Sequence, residues 1–420
     1  MFFQERFEEM SKIAHDLFDH PELGYKEVYT KKVVEDFLLK ENPDAQLEHF
    51  SATGIKTWLS KDKEMTMAFI AELDAVYAPT HFNADPETGA AHNCGHFTQI
   101  TTALALYAYL VSSKAYEKFD FNIVFVFVPA EEFLDLEYRE TLRSQGKITY
   151  YGGKPEAMKL GVFDDIDFAM CVHAIGETFD KPTIEINCDL AGFLYKYYDF
   201  EGKAAHAGFA PFSGVNAYSM SNLFNVALGF MRQQMDDTML VRFNPILMNS
   251  NMSTNVIPNK VRVGTDLRTR TLDYMKQTAV KLDQAALGSA MSLGGKVDIQ
   301  TQMGYLPFIQ NRYLNEFVKK AYLKNDAVEA IIEDRGGIAA AGDIGDLSFM
   351  MPCIQISYGG FTGSIHGDDF KMIDEPFVLE TLPGFIADVL EEMNGSIDRK
   401  ELYKRSYKEY EQQILSIIES

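Results

Sequence analysis

The stretch Phe121-Asn-Ile-Val-Phe-Val-Phe-Val128 limits what this chain can fold into more than any other. All but one of its residues are aromatic or β-branched, so it has no polar face and reads as a strand buried on both sides. Such a strand needs cover on both faces of its sheet. It is far shorter than the ~18 apolar residues of a membrane span, and no other stretch approaches that length. Met67–Leu73, Phe168–Val172 and Cys353–Tyr358 are shorter runs of the same kind. Helical patterns over Gln4–Asp19, Tyr29–Leu39, Thr98–Leu110 and Leu314–Lys324 alternate with them. That alternation predicts an α/β fold, a mostly parallel sheet with helices on both faces.

The rhythm changes between Leu190 and Met303. Leu194–Phe200 reads as a strand. Val215–Gln234 reads as a helix, with Ala217, Met220, Phe224, Ala227 and Met231 on one face. Ile246–Asn249 and Lys260–Arg268 read as strands. A second helix carries Leu272, Met275, Ala279, Leu282 and Ala286, and Lys296–Gln302 reads as a closing strand. The order β-α-β-β-α-β is that of a ferredoxin-like α+β domain. Residues 1–189 and 304–395 are therefore expected to form one discontinuous domain, with 190–303 inserted in it. Residues 396–420 are expected to be a helical tail with Tyr403, Tyr407, Tyr410, Ile414 and Ile417 on one stripe.

The formal net charge of -22 argues against nucleic acid and anionic membranes as partners. An anionic small substrate would need a local cationic pocket. The N-terminal MFFQERFEEM lacks the basic flank and apolar core of a secretory signal. The four cysteines, Cys94, Cys171, Cys188 and Cys353, form no Cys-x-x-Cys pair. A disulfide framework is not expected, and a cytoplasmic location would keep a thiolate available as a ligand.

Four clusters carry chemistry. His92-Asn93-Cys94-Gly95-His96 sets a thiol and an imidazole around a glycine turn. Pro129-Ala130-Glu131-Glu132 follows the apolar strand directly, where adjacent carboxylates repel unless a cation or proton compensates. Cys171-Val172-His173 ends another strand, and His366 lies in a glycine-rich loop after Cys353–Tyr358. Each has an ordinary reading alone: a chance Cys-x-His, a solvated acidic loop, a structural histidine, a surface histidine. Together they supply a thiolate, three imidazoles and two carboxylates, the donor set of a hydrolytic zinc- or manganese-type site.

With these motifs the chain resembles metallopeptidase family twenty, in its amidohydrolase branch of aminoacylases, hippurate hydrolases, auxin-conjugate hydrolases and aminobenzoyl-glutamate hydrolases. The resemblance also rests on His20-Pro-Glu-Leu-Gly24, Ala71-Glu-Leu-Asp74-Ala75, Gly202-Lys-Ala-Ala-His206-Ala, Asn255-Val-Ile-Pro258, Gly264-Thr-Asp-Leu-Arg268-Thr and Gly342-Asp-Ile-Gly-Asp346. It implies Cys94, His96, Glu132, His173 and His366 as metal ligands and Glu131 as general acid/base. Asp74 has a supporting place beside the metals. His206 is implied as a donor that enters a partner subunit's site, with Asn255 near it. The inserted domain is then a lid and dimerisation domain. One departure stands out: relatives usually carry Asp after Cys-Gly-His, where this chain has His96-Phe97-Thr98-Gln99.

The expected activity is hydrolysis of an amide bond in a small N-acyl amino acid or related amide. One or two divalent ions per chain (zinc, manganese or cobalt) would activate a water for which Glu131 is the base. Arg268 and Arg270 bracket a strand end and are candidates for a substrate carboxylate, or are solvated charges. Phe97, Phe133 and Phe209 beside the motifs fit either an apolar acyl pocket or the core. A dipeptidase or carboxypeptidase on the same scaffold, and a non-catalytic binding protein with a degenerate site, are the alternatives. The expected partners are a small amide or peptide substrate and further copies of the chain, as a homodimer or higher homo-oligomer.

Overall fold

The computed structural model of the protein describes residues 2–250 and 253–419. The chain divides into two compact units. The first runs from the N-terminus to Cys188 and takes in Ile309–Gly336 and Asp346–Tyr407. The second comprises Asp189–Phe308, Gly337–Gly345 and the chain from Lys408 onward.

An eight-stranded sheet organises the first unit. Its order is Leu47–Phe50, Gly54–Trp58, Asn122–Val128, Thr66–Glu72, Phe168–Ala174, Cys353–Tyr358, Thr183–Glu185, Ala330–Ile332. The four strands in the middle of that order run parallel. Two strands on one side of them, Leu47–Phe50 and Gly54–Trp58, are antiparallel. On the other side, Thr183–Glu185 is antiparallel to Cys353–Tyr358 and parallel to Ala330–Ile332. Every residue of Thr66–Glu72, Asn122–Val128 and Cys353–Tyr358 is buried. Successive side chains point to opposite faces, so unbroken burial means that both faces are covered. Helix His96–Ser113 packs on strands Thr66–Glu72 and Phe168–Ala174 and is itself buried along most of its length. Parallel strands connected by helices end on a common side, and that fixes where ligand groups collect.

The second unit is built on an antiparallel sheet ordered Lys296–Met303, Gly192–Glu201, Lys260–Thr269, with Arg242–Phe243 and Ile246–Ser250 both pairing with Lys260–Thr269. Helices Ala217–Arg232 and Leu272–Ser292 pack on it and on each other. Strand Gly192–Glu201 alternates as a half-covered strand should: Leu194, Lys196, Tyr198 and Phe200 are buried, while Tyr195, Tyr197 and Asp199 are half-buried. The buried Lys196 is satisfied by Asp283 Oδ2 at 2.7 Å and Thr301 Oγ1 at 2.8 Å.

Two helices differ from expectation. The first breaks at Arg6, giving Phe2–Glu5 and Phe7–Asp19; the guanidinium there binds Glu9 and Glu41. The tail helix is only Tyr407–Ile418, with Tyr410, Ile414 and Ile417 buried. Tyr403 precedes it in irregular chain. Its hydroxyl donates to Ser348 O at 2.5 Å, and the Arg405 amide donates to Met350 O at 2.7 Å, so this segment spends its hydrogen bonds away from a helix. No helix among the described residues is long and apolar enough to cross a membrane.

Candidate metal centre

In the first unit the carboxyl ends of parallel strands deliver the site. Thr66–Glu72 leads to Asp74, Asn122–Val128 to Glu131 and Glu132, and Phe168–Ala174 contains His173. Cys353–Tyr358 leads to the hairpin Phe361–Thr362/Lys371–Met372, whose tip carries His366. Cys94 and His96 sit at the start of helix His96–Ser113, across Gly95. Gly95 has φ +89°, and a Cβ there would lie 2.5 Å from the Ala174 Cβ, so the turn requires glycine.

The donor atoms converge in two groups that share one sulfur. Cys94, His96 and His173 form the first, and Cys94, Glu132 and His366 the second; the ligand atoms within each lie within 4.8 Å of one another. His96, Glu131 and Glu132 form a third such group. The His173 Nε2 is 3.5 Å from the Cys94 sulfur, and the His366 Nε2 is 3.0 Å from Glu132 Oε1. Two imidazoles are oriented from behind. His96 Nδ1 bonds Asp74 O at 2.8 Å and His173 Nδ1 bonds Ala174 O at 2.8 Å, leaving each Nε2 facing the cluster.

These residues suit a cation. The buried His96 Nε2 makes no well-aligned hydrogen bond and faces carboxylates instead, Glu72 Oε2 at 3.3 Å and Glu131 Oε2 at 4.0 Å. Burial and the Glu132 charge push the Cys94 thiol up, but His96, His173 and His366 outweigh them and bring it down to about 6. Burial likewise pushes Glu132 up, and His366 followed by His96 pulls it down to about 2. In return, burial disfavours a charged His366, yet Glu132 and Cys94 raise it to about 11. The anionic sulfur and carboxylate call for positive charge at this place, and a divalent ion would supply it while leaving the rings neutral.

Asp74 is fully buried and receives the amides of both glutamates: Glu131 N at 3.1 Å on Oδ1 and Glu132 N at 3.0 Å on Oδ2. Behind the cluster lies an ion pair that sequence reasoning left unassigned. The Lys154 ammonium, fully buried, donates to Glu72 Oε1 at 2.5 Å, and Gln99 Nε2 donates to Glu72 Oε2 at 2.8 Å. Burial opposes ionisation of Glu72, but Lys154, His96 and His173 hold it down to about 2. Breaking one partner of such a pair costs about 3–5 kcal/mol. Gln99 thus occupies the helix turn where the departure after Cys-Gly-His raised the question of support. Glu72 carried a signal, a charge closing an apolar run; Lys154, in the short helix Gly153–Lys159, carried none.

The remaining candidates belong to the second unit. His206 is exposed, and its Nδ1 accepts from the amides of Gly208 (3.2 Å) and Phe209 (3.0 Å), so in the neutral ring Nε2 bears the proton. Asn255 O accepts from Ala207 N at 2.9 Å, tying its loop to that of His206. Arg268 donates to Asp266 Oδ2 and to Ala339 O, each at 3.0 Å, and Arg270 donates to Asp189 Oδ2 at 3.1 Å.

Residues 68–386 match the family model described as peptidase family M20/M25/M40. The chain is 26% identical over 367 residues to a Xaa-Arg dipeptidase of Mus musculus, covering 84% of this chain and 76% of that protein. It is 26% identical over 333 residues to an N-acetyldiaminopimelate deacetylase of Streptococcus thermophilus, covering 77% of this chain and 83% of the relative. A Bacillus subtilis protein described as a dinuclear metal-binding peptidase shares the fold at TM-score 0.74 and 16% identity, over 94% of this chain and 100% of that one.

Proposed function

The chain belongs to peptidase family M20/M25/M40 and is a metal-dependent hydrolase of amide bonds, and from that premise we propose that it cleaves a small N-acyl amino acid or dipeptide at the Cys94 cluster. One observation carries this reading: two donor triads share the Cys94 sulfur, with a second carboxylate, Glu131, beside them. Cys94, His96, Glu132, His173 and His366 would hold one or two divalent ions. A bound ion lowers the pKa of a water and polarises the carbonyl to be attacked.

The chain's own groups do the rest. Glu131 takes the proton of the attacking water and returns it to the leaving amine. Asp74 holds the two glutamates in fixed relation, so that one serves as ligand and the other as base. His206 offers its Nε2 proton to the developing oxyanion. Arg268, held by an aspartate two residues away and one backbone oxygen, is the partner proposed for a substrate carboxylate; Arg270 is tied to the buried Asp189. The dipeptide reading is favoured by the Xaa-Arg dipeptidase among the relatives, and the acylated amino acid by the deacetylase.

The active assembly is proposed to be a homodimer in the cytoplasm, formed through the second unit, with His206 serving the partner's site. Leu223, Val226 and Phe230 follow one helix face and are exposed. Ile246, Leu247 and Met248 are exposed on a strand that, among the described residues, pairs on one side only. An open apolar edge of this kind invites pairing with another copy.

Metal removal and reconstitution test the reading. The protein should carry about one to two ions per chain after loading with zinc, manganese or cobalt, and a strong chelator should abolish amide hydrolysis. Less than roughly a tenth of an ion per chain after loading would end it.

A further inference from the structure

Glu27 has no accessible surface. It stands at the N-cap of helix Val28–Glu41, where an acidic side chain ordinarily accepts from the first free amides. It does not do so. Glu22 caps that helix instead, accepting from Tyr29 N at 3.0 Å and Thr30 N at 2.8 Å. The Glu27 carboxylate turns inward: Oε1 accepts from Ala130 N at 2.8 Å and Oε2 from Thr53 Oγ1 at 2.7 Å.

Ala130 lies in the left-handed region at φ +56°, which is unfavourable for a residue with a Cβ and persists only where neighbours hold it. Its carbonyl accepts from Gly153 N at 3.0 Å. Its amide is the first of three in succession bound by buried carboxylates, Ala130 by Glu27 and then Glu131 and Glu132 by Asp74. Gly153 N, and Arg139 Nη1 at 3.5 Å, hold the Ala130 carbonyl, but Glu27 is what holds its amide.

We propose that Glu27 is a positioning residue that locks Ala130 in its strained conformation and so fixes the direction in which the Glu131 carboxylate leaves the chain. The proposal rests on the reading of Glu131 as base. Glu27 touches no reacting atom; its effect passes through one amide. Removing the side chain frees Ala130 to relax and lets the Glu131 carboxylate wander by the ångström or so that costs about a hundredfold in rate. Glutamine keeps an oxygen that can accept from the same amide.

The test uses the full chain loaded with cobalt, as wild type, Glu27→Ala, Glu27→Gln and Thr53→Val, the last removing the hydroxyl that orients the carboxylate. Hydrogen exchange is followed in peptides covering Ala130–Glu132, together with kcat and KM on an amide substrate and the bound-cobalt spectrum. Glu27→Ala should speed exchange at these amides at least tenfold and lower kcat ten- to a hundredfold, with KM within threefold. Glu27→Gln should restore most of both, and Thr53→Val should fall between. Glutamine also fills the space, so a simple packing role is separated by Thr53→Val, which leaves Glu27 in place and removes only the hydroxyl that orients it. Exchange in Glu27→Ala equal to wild type, or a change in KM with kcat unaltered, overturns the proposal. Should Glu27→Ala not fold, unchanged exchange and kcat in Thr53→Val overturn it equally. A wild type inert on every amide would sink the hydrolase reading, while exchange would still decide whether Glu27 locks the turn.

Discussion

Most groups proposed for chemistry in the first unit are buried and held from behind (His173 is half-buried and His366 exposed on its hairpin), whereas those in the second lie on exposed loops and a strand end. His96, His173, Glu131 and Glu132 each meet the cluster with a backbone or ring atom already bonded elsewhere. The His206 ring accepts from amides two and three residues along its own loop, and its backbone bridges Val256 in the neighbouring loop. The contrast separates two tasks. Holding a cation and moving a proton require preset geometry and low dielectric, which only a packed sheet supplies. Meeting a substrate tolerates, and can exploit, a mobile carrier.

If the contrast is real, substitutions should sort by unit. The largest effect is expected from Glu131→Gln: kcat should fall by about 10²–10⁴-fold while bound metal stays near wild type, as metal analysis beside kinetics will show. Glu132→Gln should instead weaken metal binding. A reversal of those two phenotypes would exchange their roles.

His206→Ala should lower kcat by roughly 10²–10³-fold without loss of metal. Mixing it with Glu131→Gln chains asks which chain it serves. After subunit exchange, confirmed with an independent label, each mixed dimer should regain one intact site and about half the wild-type activity. Exchange without recovery would confine His206 to its own chain or to no catalytic role, and would erase part of the contrast.

A smaller effect is expected on binding alone. Arg268→Ala, or amidation of the substrate's carboxylate, should raise KM about tenfold with kcat little changed. Loss of kcat in place of affinity would move Arg268 from substrate binding to the chemistry.

Smallest is a pH effect on stability within the first unit. Burial, then the Asp74 charge, pushes the Glu27 carboxyl up to about 7 from an ordinary 4.5. An acid raised in the folded state costs stability when ionised; that cost is absent below the unfolded value, grows from there, and is complete once pH passes the folded one. Glu27→Gln should therefore melt a few degrees above wild type at pH 8, and the gap should close towards pH 4.5. A gap that is constant with pH would mean that the Glu27 carboxyl titrates alike in the folded and unfolded chain, so that burial does not raise it.

The strands that bear the cluster were legible because continuous apolar runs leave few readings: Asn122–Val128 and Cys353–Tyr358 fall within a residue of expectation. The ligand motifs sit at the ends of those runs, so their convergence follows from parallel topology. Other pieces left weaker traces. Gly54–Trp58 mixes lysine and threonine into a strand, and Lys56 is buried only because its ammonium reaches Val162 O at 2.6 Å. Glu27 and Lys154 look like surface residues, and only partners 103 and 82 positions away make them interior ones. The tyrosine at 403 continued a helical stripe on paper, but backbone bonding to Met350 decided otherwise.

Asp74 receives the amides of Glu131 and Glu132 on its two oxygens, and this has a genetic consequence. Base and ligand can each be exchanged singly by mutating their own side chains, but any change at Asp74 reaches both at once. Substitutions there will combine non-additively with those at either glutamate. A lineage altering its metal or its substrate can thus redraw the centre one side chain at a time, but only around an unchanged aspartate.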